Sequence, residues 1–263
     1  MWLATRCDLE FEIGQPTPFI LMLRPRSGAH QWVGSDRFRL EPAIQAVEFT
    51  DHYGNLCQRL VAPPGHFAIR TSSEVMVADR MDRDAWAPFV DVRSLPDSVL
   101  EYLLPSRYCE SDRFNLMAME ITSDCVPGID TVVRIEQWLR ERISFLPGTS
   151  DVPVSAVEVN LRGSGVCRDL AHLGIALCRS LSIPARLVVG YLHKLDPMDL
   201  HAWFEAWVGG RWYSFDATRP HLTGGYVVLG YGRDAADVAL YNQFGPPVFP
   251  LDHRVEVSLI PEG

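Results

Sequence analysis

The sequence predicts an α+β protein: an antiparallel β-sandwich over residues 1–90, then a mixed unit over residues 91–263 in which a buried helix packs on an antiparallel sheet. Three observations predict it. Short alternating runs broken by turn residues fill the first third of the chain. Helical periodicity takes over after Asp79 to Pro88. A helix apolar on most sides then begins at Cys167, and two strand-like runs joined by Gly209-Gly210 follow it.

The β-rich third comprises Cys7 to Ile13, Phe19 to Leu23, Arg37 to Leu40, Ala46 to Thr50, Cys57 to Leu60 and Phe67 to Val77. Gln15-Pro16, Pro25 to Gly28, Tyr53-Gly54-Asn55 and Pro63-Pro64-Gly65 reverse the chain between them. Six such strands suit a sandwich, and His30, His52 and His66 fall in or beside turns as solvated residues. Beyond the boundary, Leu95 to Leu104 predicts a short helix stopped by Pro105, and Arg113 to Ile121 another. Asp130 is a good N-cap for a longer helix with Val132, Ile135, Leu139 and Ile143 on one face. Ser155-Ala156-Val157-Glu158 has the form of a capping box for a helix ending at Gly163. In the central helix Val166, Leu170, Leu173, Leu177 and Leu181 recur at helical spacing, and Ser182-Ile183-Pro184 stops it before a strand over Ala185 to Leu192.

Composition narrows the function. The chain has 263 residues, 47% hydrophobic and 22% charged, which is ordinary for a globular protein able to bury a real core. A net charge of −9 without a basic tract excludes nucleic acid as a partner. Met1 to Glu10 has no apolar run flanked by basic residues, and no apolar segment reaches 18 residues, so a cytoplasmic protein without a membrane partner is expected. The six cysteines, Cys7, Cys57, Cys109, Cys125, Cys167 and Cys178, form no C-x-x-C pair and read mostly as reduced core residues. Cys167 and His172 lie on one helix with no second pair to complete a zinc site, so no metal and no cofactor are expected.

Chemistry concentrates around Cys167. A helix N-terminus carries unpaired N–H groups and partial positive charge, which favour a thiolate and can hold an oxyanion. The hairpin supplies its partners. A two-residue loop at Gly209-Gly210 pairs Val208 with Arg211, which puts His201 opposite Thr218 and Trp203 opposite Asp216. His201 and Asp216 then share a face as diagonal neighbours within hydrogen-bond reach. Taken singly, Cys167 reads as a small buried hydrophobe, His201 as a structural histidine and Asp216 as a strand-end turn residue. Together they have the division of labour of a Cys-His-Asp set, in which the thiolate attacks, imidazole moves protons and carboxylate orients imidazole.

Gly165-Val166-Cys167-Arg168-Asp169 with Ala171-His172-Leu173, Gly190-Tyr191, His201-Ala202-Trp203 and Asp216-Ala217-Thr218 resemble the bacterial transglutaminase-like superfamily. The resemblance extends to residues 1 to about 90, to Leu104-Pro105-Ser106-Arg107-Tyr108-Cys109 and to Gly232-Arg233-Asp234-Ala235-Ala236-Asp237-Val238. It implies a papain-like core with Cys167 as nucleophile, His201 as base and Asp216 as orienter, and a strand such as Arg254 to Leu259 closing a sheet. In the family a glycine-rich hairpin often follows the post-catalytic loop, whereas Tyr241 to Pro250 is rich in proline and aromatics. No acidic cluster has calcium-loop spacing. Asn160 and Tyr108 are weak candidates for a second oxyanion donor, and Arg168, Asp169 and His172 read as supports of the helix start.

The expected activity is a thiol hydrolase of the cysteine-protease type, cleaving a peptide or isopeptide bond of a peptide or protein substrate through an acyl-enzyme. Transamidation is the alternative within the enzyme class. A non-catalytic protein-binding module is the rival outside it, and an intact triad speaks against that rival.

Overall fold

A computed structural model describes residues 1–28, 30–149, 152–219 and 223–261. All six N-terminal strands form: β1 (Trp2–Ile13), β2 (Thr17–Leu21), β3 (Gln31–Glu41), β4 (Val47–Thr50), β5 (Leu56–Ala62) and β6 (Gly65–Val77). They divide between two antiparallel sheets whose inner faces meet at an aromatic cluster. Phe11 of β1 and Phe67 of β6 lie 5.5 and 6.2 Å from the ring of Phe19 on β2. Residues two apart share a face, so the alternation read from the sequence becomes this core.

The middle of the chain is helical but more broken than the sequence predicts. The helix expected over Leu95 to Leu104 is instead a 3-10 turn at Val92–Ser94, α1 (Asp97–Leu100) and a second 3-10 turn at Glu101–Leu103. Pro96 sits at the α1 N-cap in extended geometry, and residues preceding a proline disfavour helix. Next come α2 (Asn115–Ile121) and α3 (Ile129–Arg142). The N-cap of α3 is Gly128 rather than Asp130, whose carboxylate accepts the Val126 N–H from inside the first turn. Gly128 has φ 133°, and a Cβ there would lie 2.4 Å from the Ala87 carbonyl oxygen, so close approach of the strap at residues 87–89 decides the position of the cap.

The C-terminal half follows in the predicted order. β7 (Ser144–Phe145) leads to α4 (Ala156–Arg162), capped reciprocally by Ser155 and Glu158 and ended by Gly163 at φ 65°. β8 (Ser164–Gly165) pairs with β7 and delivers the chain to α5 (Cys167–Ser180). β9 (Ala185–Leu192), β10 (His201–Val208), β11 (Arg211–Phe215) and β12 (Tyr226–Gly232) form an antiparallel sheet in the order β11-β10-β9-β12. α5 covers one face, at a point where Gly174 leaves room for the Phe204 ring: a Cβ there would come within 2.7 Å of it.

The last two strands run back across the expected boundary between residues 1–90 and 91–263. β13 (Tyr241–Gln243) pairs with β2, and β14 (Asp252–Leu259) pairs with β1 from Glu10↔Asp252 to Leu3↔Leu259. The strand expected over Arg254 to Leu259 therefore closes a sheet of the N-terminal sandwich. Without it, the twelve-residue β1 would expose a long hydrogen-bonding edge. The sandwich also caps the β11-β10-β9-β12 sheet: the Gln31 side chain bonds both N–H and C=O of Val228, and Asn55 does the same at Tyr231. Each amide stands in for a neighbouring strand beside the irregularity in β12.

A chain beginning at residue 91 should consequently be insoluble or aggregate, because β13 and β14 lose their partners as well as their cover. Size-exclusion chromatography and circular dichroism of that fragment check this; a monodisperse, cooperatively folding fragment would show the sandwich to be dispensable.

Candidate active site

Cys167 is the first residue of α5, and the turn that presents it is over-determined. Asp169, 1% exposed, accepts the Val166 N–H at 3.2 Å and the Val154 N–H at 3.4 Å and takes Arg168 Nε at 3.2 Å. Arg168 in turn donates to the Val152 carbonyl at 2.9 Å. Valine at the N-cap has no acceptor, so the aspartate supplies the side-chain half of the cap. Gly165 is needed for this packing, since a Cβ there would sit 2.8 Å from Asp169 Cβ. Arg168 and Asp169 thus anchor the helix start, as the sequence led us to expect. The Cys167 amide lies in the first turn, where a helix offers its N–H no intrahelical acceptor. Its side chain is half-buried.

His201 opens β10 on the same side. The hairpin has the predicted register, with Val208 paired to Arg211 and Phe204 to Phe215, and Gly209 and Gly210 at φ 58° and 86° make the tight turn. His201 Nε2 and Asp216 Oδ2 are 2.7 Å apart, both residues 2% exposed. With Nε2 taken by Asp216, Nδ1 is the ring nitrogen left over, and Cys167 is among the neighbours that favour the charged ring. Burial opposes the imidazolium, but the Asp216 charge and hydrogen bond, reinforced by Cys167, outweigh it and push the His201 pKa up to about 10. Burial likewise favours a neutral Asp216, and the attraction of His201 with hydrogen bonds from Thr218 and Tyr226 overcomes it, holding the carboxyl below its ordinary value. Oδ1 accepts the Thr218 N–H at 3.0 Å and hydroxyl at 2.7 Å, and Oδ2 accepts the Tyr226 hydroxyl at 2.9 Å. Trp203 stacks beside His201 at 6.1 Å. Gly190, opposite His201 across β9 and β10, accepts no side chain because a Cβ would lie 1.9 Å from the Val227 carbonyl oxygen.

His172 has another task. Its Nδ1 lies 2.9 Å from the Val154 carbonyl, and Nε2 accepts the Ala235 N–H at 3.2 Å. These partners assign one neutral tautomer, protonated at Nδ1. Burial holds the ring's pKa down to about 4. With both nitrogens taken, His172 clamps the segment before α4 and the loop after β12 onto α5. Tyr108 stacks on it at 5.3 Å and 6°, and the other oxyanion candidate, Asn160, is half-buried on α4.

Sequence reasoning overlooked four supporting residues. Tyr226 bonds Asp216, as above. Glu136 of α3 accepts the Asp216 N–H at 2.7 Å and is held by Arg83. Arg179, 4% exposed, directs its guanidinium to the carbonyls of Leu104, Ala185 and Arg233 and to the Ser106 hydroxyl. A signal for Glu136 existed: an acid set among Val132, Ile135 and Leu139 on the apolar stripe of α3. Among the described residues no group of three or more His, Cys, Asp or Glu side chains is placed to hold a metal ion.

Comparison with known proteins gives concordant matches. Residues 116–217 match the transglutaminase-like superfamily, and residues 15–78 match the bacterial transglutaminase-like N-terminal region. An uncharacterized protein of Mycobacterium leprae is 32% identical over 256 residues, covering 90% of both chains. An uncharacterized protein of Mycobacterium tuberculosis is 34% identical over 127 residues, 43% of this chain and 40% of that one. A crystal structure from Cytophaga hutchinsonii, described as "a Putative Cysteine Protease", superposes with a TM-score of 0.92 at 33% identity, covering 100% of this chain and 92% of that one.

Proposed function

Since the chain belongs to the transglutaminase-like superfamily, we propose that it is a thiol hydrolase that cleaves a peptide or isopeptide bond through an acyl-enzyme on Cys167. The observation that carries this reading is the buried pair of His201 and Asp216, joined at 2.7 Å, with Cys167 at a helix start among the neighbours that favour the His201 cation. The name of the Cytophaga hutchinsonii structure supports the protease side of it. The substrate is a peptide or protein in the cytoplasm, with no part for nucleic acid or a membrane.

The chemistry follows from the arrangement. The Cys167 sulfur attacks the amide carbonyl carbon, and its oxygen takes the negative charge toward the Cys167 N–H. His201 protonates the leaving nitrogen, so the C–N bond breaks and a thioester remains. Water then attacks the thioester while neutral His201 takes its proton, and the tetrahedral species releases the carboxyl product and expels Cys167 as a thiolate beside the His201 imidazolium, which restores the starting pair. Asp216 stabilises the imidazolium in both halves. An amine in place of water would give transamidation.

Limiting iodoacetamide near pH 6, followed by peptide mapping, tests the reading. Cys167 should be labelled at least tenfold faster than any other cysteine, and His201→Ala should slow it at least tenfold at that pH without unfolding the chain. Burial shields the competitors and raises their thiol pKa, to about 12 for Cys7 and about 11 for Cys57. If Cys167 reacts no faster than Cys125 in the folded protein, the thiol-enzyme reading fails and the binding-module reading replaces it.

A further inference from the structure

The segment that leaves the sandwich reaches into the support of the triad. Arg83 makes a bidentate pair with Glu136, both contacts at 2.9 Å, and donates to the Ser214 carbonyl from Nε at 3.0 Å and Nη2 at 2.6 Å. Its guanidinium lies 4.0 Å above the Phe215 ring. The side chains are 16% and 7% exposed, so the pair is largely out of water. Glu136 Oε1 then accepts the main-chain N–H of Asp216, the first residue past β11, where strand pairing has ended. Asp216 lies beyond the last paired residue, Phe215, its N–H takes a side-chain carboxylate, and its own carboxylate must stay aimed at His201.

We propose that Glu136, oriented by Arg83, is a positioning residue that fixes the Asp216 main chain and through it the contact of Asp216 with His201. This rests on the thiol-enzyme reading for its functional meaning, although its geometry does not. A carboxylate is suited to the task because it accepts from Arg83 through both oxygens and still has a lone pair for the Asp216 N–H. Arg83 lies between β6 and α1, so the link also ties the order of the triad to the strap that joins sandwich and catalytic sheet.

Removing one member of a buried pair strands the other, so the test replaces both. Glu136→Gln with Arg83→Met keeps an acceptor for the Asp216 N–H; Glu136→Leu with Arg83→Met removes it, and neither leaves a buried charge. The readouts are the His201 imidazole titration by nitrogen-15 NMR, which needs no substrate, and the pH profile of Cys167 alkylation. His201 is faced by Asp216 after β11, Tyr226 of β12 and Cys167 of α5, none of them altered. The Gln/Met protein should titrate like the wild type, whereas in the Leu/Met protein the imidazolium should lose its proton at least one pH unit lower and Cys167 should react at least tenfold more slowly near pH 7. Two folded proteins with the same titration would overturn the proposal. So would a failure of the Leu/Met protein to fold, alone or with its companion, since the role would then be structural support. A shifted His201 titration in a protein whose wild type shows no selective Cys167 reactivity would leave the positioning intact and sink the thiol-enzyme reading instead.

Discussion

Asp216→Asn is expected to lower turnover by about four orders of magnitude while the protein stays folded. An asparagine fits the site, and with its carbonyl oxygen at the Oδ1 position Thr218 can still donate to it, while the Tyr226 hydroxyl loses its Oδ2 acceptor. Two further things are lost. The charge that outweighs the burial of His201 disappears, so the imidazolium is no longer held up to a pKa of about 10. An amide N–H turned toward Nε2 would also make that nitrogen an acceptor and drive the ring proton to Nδ1, the nitrogen left over, which is the wrong tautomer for a general base. The pH dependence of stability gives a second readout. Folded His201 keeps its proton up to about pH 10, whereas an unfolded histidine loses it near 6.5. The folded state therefore binds more protons between these values, and the stabilisation, complete below pH 6.5, is lost as pH rises through 10. Melting temperatures between pH 6 and 10 should fall in the wild type and stay flatter in the variant. Equal alkaline slopes, or turnover within tenfold of wild type, would mean that another group holds His201.

Arg179→Leu is expected to abolish folding or to cost several kcal/mol, a large share of a domain's total stability of about 5–15 kcal/mol. Arg179 joins three places far apart in sequence: the turn at Leu104 and Ser106, the start of β9 at Ala185, and Arg233 after β12. Leucine fills part of the volume but leaves buried carbonyls without donors, at about 1–3 kcal/mol each and not additively. Arg179→Lys should rescue little, because an ammonium cannot spread across four acceptors in a plane. Soluble yield and urea melts of both variants decide this. A leucine variant within about 1 kcal/mol of wild type would show that the carbonyls find other donors.

The pairing of His201 with Asp216 is legible in the sequence because it is local. The residues are 15 apart, and between them two glycines set a turn whose length fixes every cross-strand pair. The same holds for the capping box at Ser155 and Glu158 and for the helix start at Cys167: each depends on a few neighbouring residues and on the 3.6-residue period. Asp130 shows where local reading ends. It is a sound N-cap by type, yet the strap at residues 87–89 lies against the chain at Gly128 and moves the cap two residues earlier.

The sequence by itself determined the α+β class, the six strands of the sandwich, the hairpin register, the helix start at Cys167 and the meeting of His201 with Asp216, because alternation, helical period and turn chemistry act over short stretches. Only the tertiary structure decided that β13 and β14 return to the sandwich, that His172 is a neutral clamp, that Arg179 ties carbonyls together, and that Glu136 holds the Asp216 main chain from 80 residues away. The reason is physical. A buried polar group must find a partner wherever packing brings one, and an exposed strand edge must be covered by whatever segment reaches it; neither requirement leaves a period in the sequence.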